Sequence, residues 1–223
     1  SKRTKISFLP FLFLLIEAHQ KGEISTSRIN QILDTVESFL VRRALSHLEP
    51  TGLHAVFKRL WLEVENELTP DAVKEAIKKK ITVQWPDDRE LSEAVRRNKL
   101  YKSGICKYFL QEWDIASGGD HPGGNETIEH ILPQKPEKDW NKTFDEDQIK
   151  MYTDTLPNLL LLTSSGQNKA SNHSFQVKRK EYADNSMFTS TRALAKKYKA
   201  WTPKELDARG DELTEWALLR WPD

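Results

Sequence analysis

The hydrophobic positions fall into two regimes. Up to about residue 116 they recur at helical spacing. Phe11 to Gln20 reads as a buried helix ending near Gly22, and Ile29, Ile32, Leu33, Val36 and Leu40 make a second stripe with Ser25 or Ser27 as its cap. Leu53, Val56, Phe57, Leu60, Trp61 and Val64 form a third, opening after Pro50-Thr51-Gly52. Thr69-Pro70, a capping residue followed by proline in the first turn, starts a shorter helix through Val73, Ala76 and Ile77. Trp85-Pro86-Asp87 interrupts the pattern; Leu91, Ala94 and Val95 resume it, and Leu100 to Trp113 carries Ile105, Phe109 and Trp113 on one face.

The pattern then changes. Four glycines and a proline crowd into residues 117–125, which predicts a loop, with His121 beside Pro122-Gly123. Thr127–Leu132 and Leu159–Thr163 are short apolar runs of strand type. Trp140 and Phe144 stand between them in a polar connector as expected anchors. After Asn168 the chain returns to helix, over Phe175 to Tyr182 and on to Tyr198. Thr202-Pro203-Lys204-Glu205 is a capping box that launches a last helix through Leu206, Leu213, Trp216 and Ala217. The fold class predicted is mainly α with a small two-stranded sheet. The divisions expected are a helical region 1–116, a core 117–185 and a helical region 186–223, packed as one domain.

Charge and composition narrow the functions. Thirty-four Lys and Arg against 33 Asp and Glu leave no bulk attraction to nucleic acid or anionic lipid, so phosphate binding must come from local patches. The single Cys106 excludes a disulfide framework and a Cys-based zinc site and fits a reducing compartment. Phe8 to Ile16 is too short to span a bilayer. Ser1 opens the sequence and Met151 is its first methionine, which predicts a piece of a larger protein.

The candidate chemistry lies around the two strands. Phosphodiester hydrolysis needs a base for water and an electrophile for the phosphate. A neutral His130 supplies the first; a divalent ion held by Glu129 and the Asn168 side-chain oxygen supplies the second. Neighbours on a strand face opposite ways, so Glu129 and His130 share a site only where the strand twists or ends, and Pro133 ends it. Asn158 would hold the His130 segment from the facing strand. Spacing alone fits equally a buried histidine, an exposed glutamate and two turn asparagines. His19, His47, His54, His121 and His173 lack a comparable setting.

Taken together, Glu129-His130-Ile131-Leu132-Pro133-Gln134, Asn158-Leu159 with Leu161-Leu162, Asn168-Lys169 with Ser171-Asn172, Phe175, Lys178 and Tyr182 resemble the His-Asn-His nuclease motif. More closely, they resemble the C-terminal nuclease domain of GmrSD-type and SspE-like modification-dependent restriction enzymes. Leu40-Val41-Arg42-Arg43, Trp201, Arg209 and Trp221-Pro222 share it. The resemblance implies a ββα-metal nuclease core embedded in a helical domain and a DNA endonuclease of bacterial antiviral defence in the cytoplasm. It also implies an N-terminal nucleotide-hydrolysing, modification-sensing domain beyond this chain. By position, His130 is the implied general base, Asn158 orients it, and Glu129 and Asn168 are metal ligands. The last position of the motif is asparagine rather than histidine, which favours Mg²⁺, with Mn²⁺ as the alternative, over zinc. Lys178, Lys169, Asn172 and Arg179 are the expected nucleic-acid contacts. A non-catalytic DNA-binding module and an RNase are the alternative readings.

Overall fold

In the computed structural model, residues 2–120 and 124–223 are described; the loop position of His121 and the Pro122-Gly123 that follows it lie outside them. The chain divides into two compact units, residues 1–91 with 217–223, and residues 92–216.

The first unit holds four helices: α1 (Lys2–Gln20), α2 (Thr26–Leu45), α3 (Leu53–Val64) and α4 (Pro70–Lys78). Their apolar stripes meet in one core, with Phe11, Leu15, Ile32, Val36, Phe39, Phe57, Leu60 and Ile77 all but fully buried. The caps are where the sequence puts them. Ser25 Oγ accepts from Arg28 N at 3.2 Å, and Thr69 Oγ1 from Ala72 N at 3.1 Å with Pro70 in the first turn. Helix α1 starts earlier than Phe11 and carries Pro10 inside it. Gly52, at φ +89°, enters α3 where a Cβ would sit 3.1 Å from Val83 Cγ1. Arg42 is buried completely and spends its guanidinium on backbone and charge. Nε donates to Trp221 O (2.8 Å), Nη1 to Pro86 O (3.0 Å) and Nη2 to Asp88 Oδ1 (2.5 Å).

The chain passes into the second unit within α5 (Asp88–Arg97). There α6 (Gly104–Ala116) precedes β1 (Glu126–His130), α7 (Glu146–Tyr152), β2 (Leu159–Thr163), α8 (Ser164–Ala170), α9 (Phe175–Asn185), α10 (Thr189–Lys197) and α11 (Pro203–Arg220). The strands pair antiparallel, Glu126 opposite Thr163 and His130 opposite Leu159. The fold is therefore mainly helical with one two-stranded sheet among the described residues. Leu160 and Leu162 on one face of β2 join Ile131, Leu132, Trp140, Phe144, Tyr182 and Trp201 in a core. Trp140 and Phe144 are buried anchors, and Trp140 Nε1 donates to His173 O at 3.1 Å.

Two elements differ from expectation. The connector contains α7, started by a capping box in which Asp145 and Gln148 each accept from the other's backbone N–H. Asn168 lies in α8 rather than in a turn; Thr163 Oγ1 caps that helix by accepting from Gly166 N at 3.2 Å. Both helices have seven residues, too few for an apolar period to register. No described helix is long and apolar enough to cross a membrane.

Candidate functional site

The site begins where β1 stops. Beyond His130 the pairing strand is replaced by one side chain, Asn158, which is fully buried at the end of a 3₁₀ turn (Leu156–Asn158) leading into β2. Its Oδ1 accepts from Leu132 N (2.8 Å) and Trp201 Nε1 (3.2 Å), and its Nδ2 donates to Leu132 O and Thr153 O (both 2.9 Å). Its backbone oxygen takes Ile131 N at 2.9 Å. All the hydrogen-bonding capacity of an amide is thereby used to hold the segment that follows His130.

His130 faces the opposite side of the strand from Glu129, as the pleat requires. Its Nε2 lies 3.0 Å from Asp154 Oδ1, and Gln134 Nε2 donates to that same oxygen at 3.0 Å. The Tyr101 ring covers the imidazole with centroids 4.2 Å apart. One crossing places both neighbours: Asp154 O accepts from Leu100 N (2.9 Å) and Tyr101 N (3.2 Å), beside an isolated bridge between Lys99 and Thr155. Burial pushes the His130 pKa below its ordinary 6.5, against the opposing pull of the Asp154 hydrogen bond and charge. The imidazole is therefore neutral at neutral pH. Asp154 is pulled the other way: burial raises its pKa, but hydrogen bonds from Gln134 and His130 outweigh it and hold the carboxyl below 3.8. A neutral imidazole whose Nε2–H is held by a carboxylate leaves its lone pair on Nδ1, the arrangement of an oriented base.

Glu129 enters the other side of the sheet. Its Oε1 accepts from Lys178 Nζ at 2.7 Å and from Tyr182 OH at 3.1 Å, with all three residues buried. Lys178 Nζ donates also to His130 O at 2.6 Å. The ammonium so neutralises the one carboxylate expected to take a metal ion. Asn168 is exposed on α8, and its side chain makes no hydrogen bond among the described residues. Those residues contain no group of three or more His, Cys, Asp or Glu able to hold an ion. As arranged, Glu129 and Asn168 do not fit a divalent cation.

The expected basic cluster is also divided. Lys178 is 1% exposed, committed to Glu129 and turned away from any phosphate. This corrects its expected role, because Phe175, Lys178 and Tyr182 recur at helical spacing and are the residues that α9 buries. Arg179 is half-buried, its Nε donating to Ala195 O (2.8 Å) and Tyr198 O (3.0 Å) at the end of α10. Lys169 and Asn172 are exposed, Lys169 Nζ lying 3.9 Å from Glu181 Oε1. The structure thus brings together His130 and Asn158 on one side and Glu129 and Lys178 on the other. Sequence reasoning missed Asp154 and Tyr101. Asp154 sits between two threonines in a polar connector, with no spacing to mark it, and 24 residues separate it from His130.

The model for the C-terminal domain of GmrSD restriction endonucleases matches residues 85–216, which takes in the whole second unit. The chain belongs to that family. The comparison with curated proteins finds no match.

Proposed function

We propose that residues 92–216 form a DNA endonuclease domain of His-Asn-His type in which His130 is the general base and Asp154 its positioning residue. The observation that carries this reading is the His130–Asp154 pair at the end of β1. It presents a neutral, oriented imidazole inside the segment matched to a restriction-endonuclease family. In the proposed reaction Nδ1 takes a proton from water as the oxygen forms its bond to phosphorus, a P–O ester bond breaks, and the departing sugar oxygen takes a proton from solvent. The positive charge arising on the ring is offset by Asp154 through the Nε2–H bond.

Asn158 serves this chemistry at one remove, fixing the backbone that carries the base. The order β1, β2, α8, with α8 packed on both strands, supports a ββα nuclease core. Glu129 and Lys178 are its buried strut. The family match supports DNA as the substrate; restriction of foreign DNA in a bacterial cytoplasm, with a sensing domain as partner, is the setting proposed. The test is nicking of supercoiled plasmid by the parent chain and by His130→Ala, in buffers with and without Mg²⁺. Loss of nicking in the variant, with unchanged folding, is the expected result. Equal nicking by both proteins overturns the assignment.

A further inference from the structure

Away from His130, the second unit contains a cavity of about 370 Å³ lined by Trp113 and Ser117 of the α6 end, Ser190, Lys197 and Tyr198 of α10, and Arg209, Glu212 and Trp216 of α11. Its volume lies in the range of small-molecule sites, roughly 300–1,000 Å³. The walls are aromatic: Trp113 and Trp216 meet edge to face with ring centroids 5.2 Å apart, and Tyr198 stands in the same lining.

Two polar side chains in this lining have hydrogen-bonding capacity to spare. Arg209 is 3% exposed, yet among the described residues its guanidinium makes one hydrogen bond, Nη1 to Pro157 O at 2.8 Å, from a group with five N–H donors. Burial presses its pKa down to about 10, so it remains charged at neutral pH. Tyr198, 8% exposed, has a hydroxyl without a hydrogen bond of ordinary length, the Lys197 ammonium acting on it from nearby. A folded protein seldom leaves a buried hydroxyl so weakly satisfied, because it costs the desolvation it suffered. The other polar members are spoken for: Ser190 donates to Asp114, Ser117 to Trp113 O, and Lys197 pairs with Glu212 at 2.8 Å.

We propose that this cavity binds a nucleotide, its planar base against the Trp113–Trp216 pair and its phosphate on Arg209 and the Tyr198 hydroxyl. Two cations against one carboxylate favour an anion. A guanidinium matches phosphate geometry with paired donors, and aromatic side chains hold a base by stacking. The half-buried Glu212 carboxylate is placed to accept from base N–H groups. The same chemistry comes from two sources, a free nucleotide or one carried in a DNA strand. Neither requires the His130 site, so this proposal stands or falls separately from the endonuclease reading.

Calorimetric titration of the full chain carrying His130→Ala tests it, with deoxynucleoside 5′-monophosphates, the matching deoxynucleosides, inorganic phosphate, and a short single-stranded oligonucleotide without terminal phosphates. The monophosphate should bind more tightly than nucleoside or phosphate alone. Binding of monophosphate without oligonucleotide assigns the free nucleotide; binding of the oligonucleotide assigns the strand. Tyr198→Phe removes only the hydroxyl, so it should leave thermal stability intact or raised while weakening monophosphate binding by about 2- to 10-fold, the worth of one hydrogen bond. Arg209→Lys should close the gap between monophosphate and nucleoside. No heat with the monophosphate or the oligonucleotide, or phosphate binding as tightly as the monophosphate, or a Tyr198→Phe affinity equal to the parent's, overturns the proposal.

Discussion

Replacing Asp154 separates an oriented imidazole from a merely buried one. Asp154→Ala removes the acceptor 3.0 Å from His130 Nε2, which frees the tautomer and leaves the ring positive charge uncompensated during turnover. The stability cost should be small, about 1 kcal/mol, because the bond runs from a neutral ring to a carboxylate one-third exposed to water. The rate cost should be larger, about 10- to 100-fold, in line with the loss of a group that orients a reactive ligand or base. Asp154→Asn should fall between parent and alanine variant. Gln134 Nε2 and His130 Nε2 both donate to Oδ1, so the amide keeps its oxygen toward them and preserves the tautomer while losing the charge. The pH profile carries the sign. His130 titrates below 6.5 because of burial, and Asp154 opposes that shift, so removing the carboxylate moves the acid limb of kcat/KM to still lower pH. Plasmid nicking followed from pH 5 to 9, with melting curves on the same samples, measures all of this. A parent-like rate with an unmoved acid limb in Asp154→Ala would refute the pairing as a catalytic device.

His130→Ala should lower nicking by about 10²–10⁴-fold with an unchanged circular-dichroism spectrum. Folding stability, measured by urea denaturation, should decline as pH falls below 6.5, since the lowered pKa of His130 means the unfolded chain binds a proton first. Lys178→Met should cost about 3–5 kcal/mol by leaving Glu129 buried without its cation, and pairing it with Glu129→Gln should recover most of the loss. Asn158→Ala should cost about 3 kcal/mol or more, because Leu132, Thr153 and Trp201 each lose a partner inside the protein. Asn168→Ala should leave both stability, within about 0.5 kcal/mol, and the Mg²⁺ titration of nicking as in the parent, since the side chain is exposed and Glu129 is already neutralised.

The helical half of the fold was legible because long helices repeat their apolar positions often enough for the period to stand out, and Ser25, Thr69 and Thr202 mark starts by chemistry that acts within three residues. The strands were legible for a different reason: Leu159–Thr163 is a short apolar run opened after Pro157-Asn158 and closed by the polar Ser164-Ser165-Gly166. What escaped were the seven-residue helices α7 and α8, held by caps and neighbours rather than by periodicity. Within the site, adjacency in sequence located His130 and Glu129, yet it could not say which partners they would find. Asp154 reaches His130 only because residues 99–101 are stitched to 154–155, and Lys178 reaches Glu129 only because α9 lies over the sheet. Such meetings depend on the packing of distant segments. A lysine in a run of basic residues looks like surface until its helix is seen from the side that is covered.

The return of residues 217–223 to the first unit has a consequence for synthesis. Arg42 donates to Trp221 O, Ser38 Oγ to Pro222 O, and Trp221 Nε1 to Glu37, so the earliest helices draw partners from a segment translated after the whole second unit. A ribosome must therefore release some 125 residues of intervening chain before the first unit can close around its buried arginine. Until then Arg42 has Pro86 O but lacks its Trp221 acceptor, whereas the second unit is continuous in sequence.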